Sequence, residues 1–207
     1  MGNNEVGVNP QPSGRALNIV GTLVALGPFV RDDLALYHRW INDFEVMRYY
    51  LDTPRPQTLE ERAAWYERVS AGDPHNIDFL IYELATMRPI GRAGLEDIQY
   101  QHRRASFGLL IGEKDCWGKG FGTEATRLTL DYGFHLLGLH NIMLSVSSAN
   151  TAAIRAYTRA GFRVIGARRE CRRESDQTLD SIFMDCLSTE FEGSILTPSP
   201  ATGVEEP

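Results

Sequence analysis

The stretch CWGKGFGTEA, Cys116 to Ala125, puts a glycine at every second position, directly after the apolar run FGLLIGE and directly before a run with helical spacing. A strand that passes through bare glycines into a helix presents peptide N–H groups that have no intrahelical partner and carry the positive end of the helix dipole. Gly118, Gly120 and Gly122 lack a Cβ, so an anion can come close to those nitrogens, and a phosphate or diphosphate is the natural ligand. The spacing is not that of a P-loop, because Lys119 stands between the glycines and no Ser or Thr follows it. Nor is it that of a dinucleotide fold, whose glycines come early in a βαβ unit. A tight strand-to-helix turn with no ligand uses the same glycines, and this segment alone does not choose.

The surrounding pattern is mixed α/β. GTLVALGPFV has the alternation of a first strand, and RDDLALYHRWINDFEVMRYY carries Leu34, Tyr37, Trp40, Ile41 and Phe44 at helical spacing. TLEERAAWYERVSAG predicts a second helix, with Thr58 and Glu61 in capping-box register and Gly72 near its end. IDFLIYEL, IGRAGLEDIQY and ASFGLLIGE predict three strands in an antiparallel meander. After the glycines, Ala125, Leu128, Tyr132, Leu136 and Leu139 mark the apolar face of a helix. HNIMLSVSSAN returns as a strand with Ile142, Leu144 and Val146 on one side, TAAIRAYTRAG is a short helix capped by Gly161, and FRVIGARRE and LDSIFMDCL close the fold as a strand pair. The expected architecture is a mainly antiparallel sheet with helices over it.

The chain of 207 residues is the length of one domain, expected at residues 16–191 between flexible tails at 1–15 and 192–207 that are rich in Gly, Pro, Ser and Thr. Twenty-one basic against twenty-seven acidic side chains leave a charge of −6, which argues against a general grip on nucleic acid. The start lacks the basic-then-apolar order of a signal peptide, and no apolar run reaches membrane-spanning length. Cys116, Cys171 and Cys186 show no disulfide or zinc spacing, and the five histidines no metal spacing. A cytoplasmic protein with free thiols and no metal, nucleic acid or membrane partner is expected.

WGKGFGTEA, followed by LDYGFHLLGLHNIMLSVSSANTAAIRAYTRAGF, resembles the acetyl-coenzyme A motif of the GNAT superfamily of N-acetyltransferases, in its Rim-type, ribosomal-protein-acetyltransferase-like branch. LVALGPFVRDDLALYHRWINDFEV is similar to the opening of that branch, so the likeness runs from about Thr22 to Leu187. The resemblance implies a GNAT-like sheet whose middle strands splay apart and let the pantetheine arm of acetyl-coenzyme A lie between them like an added strand, at Leu109 to Gly112 and Ser145 to Ser148. Gly108 and Gly112 are candidates for the irregular pairing of such a splay. It places the cofactor against Leu110 and Ile111, its diphosphate on Gly118, Lys119, Gly120, Phe121, Gly122 and Thr123, and its arm beside Asn150, Ala153 and Tyr157. Trp117 stands where the family's loop usually begins with Gln or Arg, a substitution common in the Rim-type branch.

A lysine-like amine is mostly protonated at neutral pH, so acetyl transfer needs a proton acceptor, and the departing thiolate benefits from a donor. By the resemblance Tyr157 is the general acid, with core packing as its other reading, and Asn150 is a pantetheine contact that is also placed to be a helix N-cap. Some ribosomal-protein acetyltransferases use a serine at the position of Ala153 instead of the tyrosine, which speaks against an exact ribosomal assignment. For the base, Glu96 and Asp97 alternate along one strand, so one of them faces the cleft, and Asp97 is the expected one. YYLDTPRPQTLEE and EDIQYQHRRASFGLLI are also similar to bacterial spermidine acetyltransferases, whose acidic residues at the positions of Asp52 and Asp97 face the polyamine. The charged run Arg168 to Glu174 reads as a solvated edge or a contact to the cofactor's 3′-phosphate. The function expected is direct acetyl transfer in a ternary complex to a primary amine of a small molecule or peptide, with a homodimer possible. A polyamine acetyltransferase, a transferase of longer acyl groups such as succinyl, a non-catalytic coenzyme A module and a nucleotide-binding protein stand beside it.

Overall fold

The computed structural model describes residues 14–50, 55–174 and 176–193. Most of both expected tails, residues 1–13 and 194–207, lies outside them. At the inner edges of those tails, Arg15 donates to Asp33 and to the Tyr82 hydroxyl, and Arg127 donates to the Glu192 carbonyl.

The short strands β1 (Ile19–Val20) and β2 (Val24–Gly27) lead into α1 (Leu34–Asn42) and α2 (Leu59–Ser70). The meander follows as β3 (Ile77–Glu83), β4 (Arg88–Gln99) and β5 (Arg104–Ile111). The chain then forms α3 (Phe121–Asp131), β6 (Asn141–Ser147), α4 (Thr151–Ala160), β7 (Arg163–Glu174) and β8 (Gln177–Leu187). All eight strands make one sheet in the order β1-β2-β3-β4-β5-β6-β8-β7. Neighbours are antiparallel except β5 and β6, which run parallel, as a strand–helix–strand crossover through α3 requires.

Alternation along β3 divides the two faces. Phe79 and Ile81 join Leu128 of α3 and Tyr157 of α4 in the main core, while Leu80 and Tyr82 pack with Tyr37, Trp40 and Ile41 of α1 on the other side. Helices therefore cover both faces of the sheet. Thr58 caps α2 as its spacing predicts, its hydroxyl accepting from the Glu61 N–H at 3.2 Å. Ile142, Leu144 and Val146 are buried on one side of β6.

Three local expectations fail for identifiable reasons. Phe44 is half-exposed because α1 ends at Asn42, before helical spacing can bring that ring to the core. Leu136 is exposed because Tyr132–Leu136 forms a π-type turn, whose extra residue rotates the face; Phe134 is buried in its place, and Leu139 is buried as its spacing predicts. Gly108 pairs regularly with Gly94, and the break in the β4–β5 register comes between Glu96 and Gln99. Gly112 is needed for space instead, since a Cβ there would stand 2.2 Å from the ring of Trp40.

Candidate active site

β5 and β6 pair through Arg104–Asn141, Ala105–Ile142 and Ser106–Met143, and then part. The facing edges of Leu109 to Ile111 and Ser145 to Ser147 are left without a partner in each other, although β6 keeps its β8 neighbour as far as Ser147–Ser181. A cavity of about 990 Å³ opens in this gap and continues to the start of α3.

At the α3 end the main chain turns left-handed twice, with φ +74° at Gly118 and +88° at Gly120. The helix has no side-chain cap, and none of the N–H groups from Gly118 to Thr123 donates to a partner among the described residues. Gly118, Gly120, Gly122 and Thr123 line the cavity with Trp117, whose indole N–H donates to the Ile111 carbonyl at 2.8 Å and fixes the loop to the end of β5. The side chains of Lys119 and Phe121 are elsewhere. Lys119 is exposed and does not line the cavity, and the Phe121 ring is buried in the main core. Glu124, one turn into the helix, would oppose an anion at this end. Its carboxylate instead accepts from the N–H groups of Thr22, Leu23 and Val24 at 2.6–2.8 Å, which ties the β1–β2 turn to α3.

Asn150 caps α4 through Oδ1, which accepts from the Ala153 N–H at 3.1 Å, and its Nδ2 donates to nothing among the described residues. Asn150, Ala153 and Tyr157 line the cavity from one helix face, together with Arg155 and Arg159. Tyr157 is buried edge-on to Phe107, at 6.0 Å between ring centroids, and burial pushes its phenol up to about 12. A group so shifted keeps its proton at neutral pH and suits an acid rather than a base. Leu110 and Ile111 also line the cavity; Leu110 belongs to the core under α1 and Ile111 packs against the other.

The two candidate bases separate clearly. Glu96 lines the cavity, whereas Asp97 is exposed outside it, in the left-handed region at φ +50° where the β4–β5 register breaks. That break, which strict alternation cannot foresee, holds Asp97 against Asn76 and Gln99 and leaves the cleft to Glu96. Asp52 falls outside the described residues. Of the charged run on β7, Arg172 lines the cavity and Arg168 and Arg169 do not.

A second set of groups, which no local spacing in the sequence brings together, stands behind Glu96. Arg92 is buried on the α1 face of β4 and donates from Nε to Asp78 at 2.5 Å, from Nη2 to Glu96 at 2.5 Å and from Nη1 to the Tyr50 hydroxyl. Burial pushes the carboxyl of Asp78 up against the opposing pull of Arg92. Burial likewise raises the Tyr50 phenol. The signal in the sequence was an arginine at an inward position of the otherwise apolar IGRAGL run, where a charge survives only with partners.

The Acetyltransferase (GNAT) domain model matches residues 24–163, two thirds of the chain and the whole of the cavity's glycine loop and α4 face. The chain belongs to the GNAT acetyltransferase family. This GNAT domain is 33% identical over 143 residues to spermidine N(1)-acetyltransferase of Escherichia coli, covering 69% of this chain and 74% of that protein. It is also 33% identical over 132 residues to spermidine N(1)-acetyltransferase of Vibrio cholerae, covering 64% and 74%. The crystal structure of a Vibrio cholerae spermidine N-acetyltransferase in complex with CoA and spermine superposes with a TM-score of 0.74 at 28% identity, covering 81% of this chain and 97% of that one. The GNAT fold, the acyltransferase activity and the use of acetyl-CoA follow from membership. The unpartnered amides, the parted strands and the open Nδ2 of Asn150 are a fitting donor set for a diphosphate and an amide-bearing arm.

Proposed function

We propose that this enzyme acetylates a primary amine of a small molecule by direct attack in a ternary complex, with Tyr157 as general acid and Glu96 as proton acceptor. The observation that carries it is that one cavity joins the parted edges of β5 and β6, the free amides before α3, the Tyr157 phenol and the Glu96 carboxylate. Acetyl-CoA, when bound, supplies the activated acyl group as a thioester. Gly118 to Thr123 hold its diphosphate through their N–H groups, Asn150 meets the arm through Nδ2, and Arg155 and Arg159 balance remaining phosphate charge.

At Glu96 the acceptor ammonium gives up a proton, directly or through a water, and becomes a nucleophile. The nitrogen lone pair would form the new N–C bond while the C–S bond breaks, the Tyr157 hydroxyl giving its proton to the leaving sulfur. The nitrogen then loses its second proton, through water, to the Tyr157 phenolate, which restores the phenol, and Glu96 returns the first proton to solvent. Asp97 has no part in this reading, being outside the cavity.

The polyamine reading is supported by the names of the relatives, spermidine N(1)-acetyltransferases at 33% identity. Among the described residues no helix is long and apolar enough to cross a membrane, and Cys116, Cys171 and Cys186 are free, in keeping with a reducing compartment such as the cytoplasm. The test is thiol release from acetyl-CoA across a panel of primary amines. Amine-dependent release supports transfer, and coenzyme A binding without release for any amine reduces the protein to a binding module.

A further inference from the structure

On β4, Arg92, Gly94 and Glu96 follow one another at every second position and so share one face of the strand. Four residues of extended chain span about 13 Å, so the side chains of Arg92 and Glu96 meet only by reaching toward each other over residue 94. That residue is glycine. A Cβ on it would stand 3.0 Å from Asp78 Oδ1 and 3.4 Å from Arg92 Nη2, in the path of the guanidinium. Gly94 pairs with Asp78 of β3 on one side and with Gly108 of β5 on the other, and a Cβ at Gly108 would stand 3.5 Å from both Arg92 Nη1 and Glu96 Oε1. The two bare positions make the floor on which the Arg92 side chain lies between Asp78 and Glu96.

The three partners of that guanidinium differ in surroundings. Asp78 is buried with it, its side chain 4% exposed against 7% for Arg92, and a buried cation needs such a counter-ion to stay in place. Glu96 and Tyr50 both line the cavity, Glu96 with its side chain 47% exposed. A half-exposed carboxylate on an unsupported stem samples several rotamers. The 2.5 Å bond from Arg92 Nη2 to Glu96 Oε1 selects one. With Asp78 as buried counter-charge, Arg92 keeps its place whether Glu96 is neutral or ionised, as a group that takes and returns a proton requires. Tyr50, accepting from Nη1, joins the segment after α1 to the same anchor.

We infer that Arg92 is the positioning residue of this active site: it holds Glu96 by Oε1 so that Oε2 meets the proton of the acceptor ammonium, and Asp78 holds Arg92 in turn. This rests on the reading of Glu96 as the proton acceptor of an amine N-acetyltransferase. A single lysine nitrogen cannot stand in the places of Nε, Nη1 and Nη2 at once, so Arg92→Lys keeps a cation beside Asp78 and gives up the fork.

The test measures steady-state thiol release from acetyl-CoA with whichever of hexylamine, phenethylamine, putrescine and spermidine the natural protein turns over best, in Arg92→Lys, Glu96→Gln and the double variant. Arg92→Lys should lower kcat/KM for the amine about tenfold or more at unchanged KM for acetyl-CoA, and less than about twofold when Glu96→Gln is already present. The loss should shrink near pH ~9.5, where more of the amine is already unprotonated, whereas a damaged fold gains nothing from alkali. Glu96→Asp keeps a carboxylate at a half-exposed position but draws it back from Nη2; it should show a similar loss at an unchanged denaturation midpoint, however well Arg92→Lys folds. Natural activity in Arg92→Lys or in Glu96→Asp overturns the positioning, and so does a loss that pH leaves unmoved or that is the same size with and without Glu96. Natural activity in Glu96→Gln overturns the proton acceptor itself, and the absence of amine-dependent release from the natural protein overturns the transferase reading.

Discussion

Ser106 and Met143 are the last residues at which β5 and β6 pair, and everything the cavity offers a ligand lies beyond them. Parting there leaves strand edges that a linear amide-bearing molecule can complete, and the chain reaches Gly118, the first loop glycine, seven residues after β5 ends at Ile111. The loop's amides are open for the same reason: α3 starts on glycine, which has no side chain to cap it.

Gly120→Asp should abolish coenzyme A binding. The residue is left-handed at φ +88°, which strains any L side chain, and it would put a negative charge beside the free amides. Titration calorimetry with coenzyme A reads the loss, and circular dichroism shows whether the fold persists. Binding at natural affinity contradicts the diphosphate site.

Gly112→Ala should destabilise the protein without touching the chemistry directly. Its methyl group would overlap the Trp40 ring at 2.2 Å, and that ring is held in place by its N–H donating to Glu113 at 2.8 Å. Overpacking of this kind costs about 1–3 kcal/mol, seen as a lower denaturation midpoint.

Arg92→Leu should cost about 3–5 kcal/mol, because it leaves Asp78 buried without its cation. Adding Asp78→Asn should recover part of the loss, since the orphaned charge goes with it. Denaturant titration of the two single variants and the double variant reads the coupling, and strict additivity would contradict a buried pair.

Tyr157 predicts an alkaline loss of stability. Its folded phenol is raised from the ordinary 10.0 to about 12, so above pH 10 the unfolded chain ionises first and the native state loses ground until the folded group ionises as well. Stability is intact below that window. Tyr157→Phe should remove this component, on the order of 2–3 kcal/mol, and flatten the decline relative to the natural protein. The other tyrosines with raised phenols, Tyr37, Tyr50, Tyr82 and Tyr132, set a background shared by both proteins.

The features legible in the sequence are local or periodic. The strands of the meander, the Thr58 cap, the inward side of β6 and the glycine turn each declare themselves within a short local segment. Alternation leaves the choice between Glu96 and Asp97 open; Glu96 follows Arg92 and Gly94 on the face that carries the cavity, and the bulge just beyond it turns Asp97 to solvent. Leu136 was misplaced because a π-type turn does the same to a helix. The Arg92 cluster joins Tyr50, Asp78 and Glu96 from three separate segments, and Glu124 meets Thr22 across 102 positions. No spacing rule reaches that far.

The most direct test of the central claim is thiol release from acetyl-CoA, with a primary-amine panel, by the natural protein and by Tyr157→Phe. Amine-dependent release is predicted for the first, and for the second a fall in kcat of about 100-fold or more at unchanged coenzyme A affinity. Bound coenzyme A with no amine-dependent release, or full turnover without the phenol, would contradict the account.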